Sequence, residues 1–132
     1  MAKTEKRRVG DVGEGVVCTY LEGRGYKVID RNYLKPWGEI DIVAEKGDMT
    51  IFIEVKSVSR PLQEGISRET SSYRPEENMH PAKIKRLHRA IQTYLLEKKI
   101  PESREWQLHL ACAYLDFATH KARVELLENV VL

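Results

Sequence analysis

Two carboxylates and one ammonium group offer the most direct chemistry in this sequence. Asp41 stands in Glu39-Ile-Asp-Ile-Val-Ala-Glu45, and Glu54 and Lys56 stand in Met49-Thr-Ile-Phe-Ile-Glu-Val-Lys56. Both segments are rich in β-branched residues and only a short connection separates them, which predicts an antiparallel hairpin turning at Gly47-Asp48. Partners across a hairpin keep a constant sum of residue numbers, which sets Asp41 opposite Glu54 and Glu39 opposite Lys56. Alternation along the strands then gathers these four on one face, with opposed Cβ atoms about 4.5–5.5 Å apart. Ile40, Ile42, Ala44, Ile51, Ile53 and Val55 are left for a core face.

Like charges opposed in this way destabilise a hairpin by about 0.2–1 kcal/mol at a surface, and by more where water is excluded. Uptake of a proton by one carboxyl relieves the pair, and so does a cation, either Lys56 or a metal ion. Adjacent carboxylates supply the hard oxygen ligands that Mg²⁺ or Mn²⁺ takes, leaving positions for water and a phosphate. Lys56 beside them can stabilise charge developing on a phosphoryl group or orient the attacking water. The alternative is a solvated cross-strand salt-bridge face with no chemistry.

A helix from Asp11 to Arg24 is expected ahead of the hairpin. Asp11 can cap it with Glu14 in the capping-box position, and Gly23 or Gly25 ends it. On the helical wheel Glu14 falls inside the apolar arc, where it can face the sheet and offer a third oxygen; the capping box accounts for it equally well. Gly13, on the same arc, permits close approach to a neighbour. Strands follow at Tyr26–Asn32, Glu39–Glu45 and Met49–Lys56, with a turn at Lys35-Pro-Trp-Gly38. Residues 57–80 read as a long polar connection. A helix from Pro81 to Lys98 carries the stripe Ile84, Leu87, Ile91 and Leu95, and strands at Trp106–Tyr114 and Ala122–Leu127 close the chain.

Charge is distributed unevenly. Lys3, Lys6, Arg7 and Arg8 crowd the start, and Lys83, Lys85, Arg86 and Arg89 form a run without an acid. Flanking an acidic centre, these segments suit a polyanion, with Arg7, Arg8, Lys83, Lys85, Arg86 and Arg89 as the candidate phosphate contacts. The 132 residues make one domain, 11–132, behind a basic arm at 1–10. Hydrophobic content of 42% against 22 basic and 20 acidic residues argues against disorder. Cys18 and Cys112 form no disulfide framework, and the scattered histidines have no zinc spacing. No signal peptide or membrane-length apolar run is seen, so the expectation is a cytoplasmic protein without a membrane partner.

Gly13-Glu14, Gly-Tyr-Lys-Val-Ile-Asp-Arg-Asn (25–32), Gly-Glu-Ile-Asp-Ile-Val-Ala (38–44) and Phe-Ile-Glu-Val-Lys (52–56) resemble the YraN family of bacterial proteins. The likeness continues through Pro81-x-Lys83 to Tyr94-Leu95. That family is similar in turn to the restriction-endonuclease-like superfamily, in particular to archaeal Holliday-junction resolvases. The resemblance implies an α/β fold: a central mixed β-sheet flanked by helices, with an α-β-β-β-α-β core plus a C-terminal strand. It further implies Asp41 and Glu54 as metal ligands with the Val55 carbonyl, Lys56 as the catalytic lysine, and Glu14 as the helix-one glutamate. A Mg²⁺-dependent endonuclease acting on DNA, branched DNA included, and working as a homodimer is the expected function. A non-catalytic nucleic-acid-binding protein of the same fold is one alternative, and a structural or partner-binding protein is another. The sequence departs from the family in 57–74, and Ile84 replaces a glutamine common after the helix lysine.

Overall fold

A computed structural model describes residues 4–62 and 80–130. Helix α1 spans Glu5–Glu22, and strands β1, β2 and β3 span Lys27–Lys35, Gly38–Lys46 and Met49–Ser59. Helix α2 spans Pro81–Glu97, and strands β4 and β5 span Trp106–Asp116 and Lys121–Leu127. The five strands form one sheet in chain order, antiparallel throughout except for β3 and β4, which run parallel. A parallel neighbour requires a crossover between the two strands, and α2 lies on that connection. This is the mixed sheet flanked by helices that the sequence led us to expect.

The helices cover opposite faces. Val17 and Leu21 of α1 pack on Ile42, Ala44, Ile51, Ile53, Ala111 and Ala113. Leu87, Ala90, Ile91 and Tyr94 of α2 pack on Ile40, Val43, Phe52 and Leu108. A strand buried on both faces has no use for strict alternation, and the unbroken Ile51-Phe52-Ile53 run reflects this. Ile40 is therefore corrected: it joins the α2 side with Val43, not the α1 side with Ile42.

Helix α1 also starts earlier than the capping pattern suggested. Thr4 caps it, its hydroxyl accepting the Arg7 N–H at 3.2 Å, so Asp11 is interior and the Asp11–Glu14 capping box does not form. Residues 5–10, expected as part of a basic arm, are helical; five good-to-moderate helix formers precede Gly10, and Arg8 pairs with Glu5 one turn back at 3.0 Å. Gly23 caps the other end. The hairpin turns where expected, with Lys46 opposite Met49 and Gly47 at φ +59°, a conformation that favours glycine. Strand β3 runs on to Ser59, so the first three residues of the expected loop are strand; 63–79 of that loop lie outside the described residues.

Two glycines set the distances between the layers. A Cβ on Gly13 would lie 1.8 Å from Ser57 Oγ, so α1 rests directly on β3 beside Lys56. A Cβ on Gly38 would lie 2.5 Å from the Arg86 carbonyl oxygen, so the start of β2 touches the α2 backbone.

Candidate active site

The β2–β3 ladder ends at Ile42↔Ile53, and the chemistry collects just beyond it. The expected strand pairing of Asp41 with Glu54 and of Glu39 with Lys56 is not formed. Instead Asp41 Oδ2 accepts the Val55 N–H at 2.8 Å, a carboxylate bond standing where a ladder bond would be. The Asp41 and Glu54 carboxyls nevertheless meet within hydrogen-bonding reach. The side chains converge although the backbone register does not extend to them.

Both acids are held above their ordinary range. Burial pushes Asp41 up to about 8, with the Glu54 charge next in weight and Glu39 and Glu14 adding less; the Val55 N–H pulls it down. Glu54 is also raised, first by burial, against the lowering pull of Lys83. Near neutral pH the pair therefore keeps a proton, the relief expected of two carboxylates sharing a small volume. Lys83, on the first turn of α2, sits with its Nζ 2.9 Å from Glu54 Oε1. Its ammonium is thus committed to a carboxylate, where a phosphate contact had been expected.

A cleft of about 460 Å³ opens over this point from the α1 side. Asp41, Val55, Lys56, Glu14 and Glu39 line it, together with Lys6 and Arg7 of α1. Lys56 is exposed there and makes no salt bridge among the described residues. Glu14 is buried and already occupied: Oε1 accepts from Arg31 Nε at 3.2 Å and from Asn32 Nδ2 at 2.9 Å. Asn32 takes φ +53°, a left-handed conformation that asparagine tolerates. Glu14 consequently lies near Asp41 with its charge balanced by Arg31.

The basic candidates divide into groups. Arg7 lines the cleft, whereas Arg8 pairs with Glu5 and lies over the Phe117 ring at 5.2 Å. Lys85, Arg86 and Arg89 are exposed on α2, with the Arg89 guanidinium 4.4 Å from the Trp37 ring centroid. Sequence reasoning missed Lys6, Arg31 and Asn32 as site residues. Arg31-Asn32 does stand in the run that carries the family resemblance, which is the signal that was available; the strand expected to end at Asn32 continues to Lys35.

Among the described residues no group of three or more His, Cys, Asp or Glu side chains is arranged to hold a metal ion. The donor set is smaller: two carboxylates in contact, with the Val55 backbone beside them. Two hard oxygen donors that repel each other and carry raised pKa values suit a divalent cation that keeps several waters. The residues fit Mg²⁺ or Mn²⁺ on that ground.

Fold and site together define a mixed α/β protein with a nuclease-like sheet and a carboxylate pair at its centre. The chain belongs to UPF0102, described as an uncharacterised protein family and the same family as YraN, whose model matches residues 13–126. It is 38% identical over 94 residues to a UPF0102 protein of Wolinella succinogenes, covering 71% of this chain and 76% of that one. A UPF0102 protein of Alkaliphilus oremlandii is 30% identical over 124 residues, 93% of this chain and 97% of the relative. Among the described residues no helix is long and apolar enough to cross a membrane.

Proposed function

We propose that the chain is a metal-dependent phosphodiesterase that cleaves nucleic acid, with DNA, including branched DNA, as its substrate class. The observation that carries this reading is the Asp41–Glu54 contact at the edge of a cleft lined by Asp41, Val55 and Lys56, with Lys56 in no salt bridge among the described residues. Opposed carboxylates cost stability, and a protein that only bound nucleic acid would have no use for them.

Asp41 and Glu54, with the Val55 carbonyl, would hold Mg²⁺ or Mn²⁺, which when bound supplies Lewis-acid polarisation of the scissile phosphate. The Val55 N–H fixes the Asp41 carboxyl in place, so its orientation is set before any ligand arrives. Lys56 meets the phosphate as a point charge and stabilises the negative charge that builds on its oxygens. Lys6 and Arg7 hold flanking phosphates along the cleft and orient the backbone without reading sequence. Glu14 acts through position: tied to Arg31 and Asn32, it keeps negative charge near Asp41 and the cleft wall rigid. The homodimer implied by the resolvase likeness belongs to the same proposal, and sedimentation equilibrium tests it.

A non-catalytic binding module is the second reading, and one observation favours it: Glu54 and Glu14 already have cationic partners. A panel of linear, flapped and four-way-junction DNA with Mg²⁺ or Mn²⁺ separates the two. Cleavage by the wild type that Asp41→Ala and Glu54→Ala abolish, with DNA binding intact or stronger, supports the enzyme. Absence of cleavage on every substrate sinks it, and salt-sensitive DNA binding would then leave the binding module.

A further inference from the structure

The Lys83–Glu54 pair has a feature that neither packing nor phosphate binding explains. Glu54 is mostly withdrawn from water, with 14% of its side chain exposed, whereas Lys83 is 39% exposed and approaches from the first turn of α2. Among the described residues Lys83 is the cation paired with Glu54, a carboxylate that also touches Asp41. Its ammonium thus sits on the oxygen that a divalent ion would take. An ammonium on a flexible four-carbon stem can leave without disturbing the core, because α2 packs on the sheet through Leu87, Ala90, Ile91 and Tyr94, one turn and more beyond Lys83.

We infer that Lys83 is an exchangeable counter-ion of Glu54, which a divalent cation must displace and which the phosphate backbone of the substrate then receives. This rests on the nuclease reading and adds its regulation. Cation and ammonium compete for one carboxylate oxygen, so the site binds metal weakly while it is empty of nucleic acid. A polyanion that draws Lys83 outward frees Glu54, and by linkage the metal strengthens polyanion binding by the same factor. Metal and substrate are loaded together.

The test is a calorimetric Mg²⁺ titration of wild type, Lys83→Met and Lys83→Arg at one fixed pH and ionic strength. Lys83→Met should bind Mg²⁺ about tenfold more tightly than wild type, the effect of removing a partly buried competing ion pair. Lys83→Arg keeps the charge and should stay within about twofold of wild type. In parallel, anisotropy with a labelled duplex of hydrolysis-resistant linkages gives the ratio of affinities with and without Mg²⁺; that ratio should be severalfold larger for wild type than for Lys83→Met. Purely structural loss would move neither quantity in this direction. Equal Mg²⁺ affinity in wild type and Lys83→Met overturns the exchange and leaves the nuclease reading standing. A folded wild type and Lys83→Met that both fail to take up Mg²⁺ overturn the nuclease reading, and the exchange with it.

Discussion

Asp41→Asn isolates the cost of crowding two carboxylates. The folded state lifts the Asp41 carboxyl from 3.8 to about 8, with burial and then Glu54 as the causes. One pKa unit corresponds to about 1.4 kcal/mol, so an isolated group would carry up to about 6 kcal/mol. Glu54 shares the proton and Lys83 offsets part of the charge, which brings the expected effect to about 2–3 kcal/mol. The sign follows from proton counts. Between about pH 4 and about pH 8 the folded chain binds a proton that the unfolded chain releases, so stability falls as pH rises through this window. Below it both states are protonated and the stability is fully present. Asparagine carries no such charge yet keeps an oxygen for the Val55 N–H. In metal-free buffer, urea unfolding followed by the fluorescence of Trp37 and Trp106 should therefore show the gap between Asp41→Asn and wild type widening, in favour of the variant, by about 2–3 kcal/mol from about pH 5 to about pH 9. A gap that stays constant across that range, with unchanged slopes against urea, would refute the argument that the pair is repulsive.

Four further outcomes are expected. Mg²⁺ should restore stability to the wild type at about pH 9 by about 2.7 kcal/mol at a hundredfold excess over its dissociation constant, and leave Asp41→Asn unmoved; urea titrations with and without the ion decide this. Lys56→Met should lower turnover while calorimetry still records metal binding, and loss of that binding would contradict the role given to the ammonium group. Gly13→Ala should destabilise the fold by about 1–3 kcal/mol through overpacking against Ser57, with Ser57→Gly on the same background recovering most of it in denaturant melts. Arg31→Met leaves the buried Glu14 carboxylate without its cation and should cost about 1–3 kcal/mol, largely recovered in Arg31→Met with Glu14→Gln, a double-mutant cycle that reads the pair directly.

Local rules were enough for much of this molecule. Short-range turn chemistry at Gly47-Asp48 and the β-branched runs on either side determined the hairpin and its register from Lys46↔Met49 to Ile42↔Ile53. Pro81 and the Ile84–Leu95 stripe determined α2, and a glycine on the apolar arc of α1 announced a close approach that Ser57 confirms. In each case the signal lies within one element or one turn of the chain, so composition and periodicity suffice to announce it, although the partner that meets Gly13 is supplied by the fold. The start of α1 is the local exception, because Thr4 and Asp11 are both competent caps and only the fit of six more helical residues chose between them.

Tertiary structure decided the rest. Covering both faces of β2 and β3 moved Ile40 away from Ile42, and the strands parted at Asp41, so the carboxylate contact survived while the backbone pairing that suggested it did not. The partners of the acids came from elsewhere in the chain: Arg31 and Asn32 for Glu14, and Lys83 for Glu54. A charged side chain selects its counter-ion by distance in space and by the water excluded around it. Neither quantity exists until helices close on the sheet, and that is why the carboxylates could be named from the sequence but the cations that hold them could not.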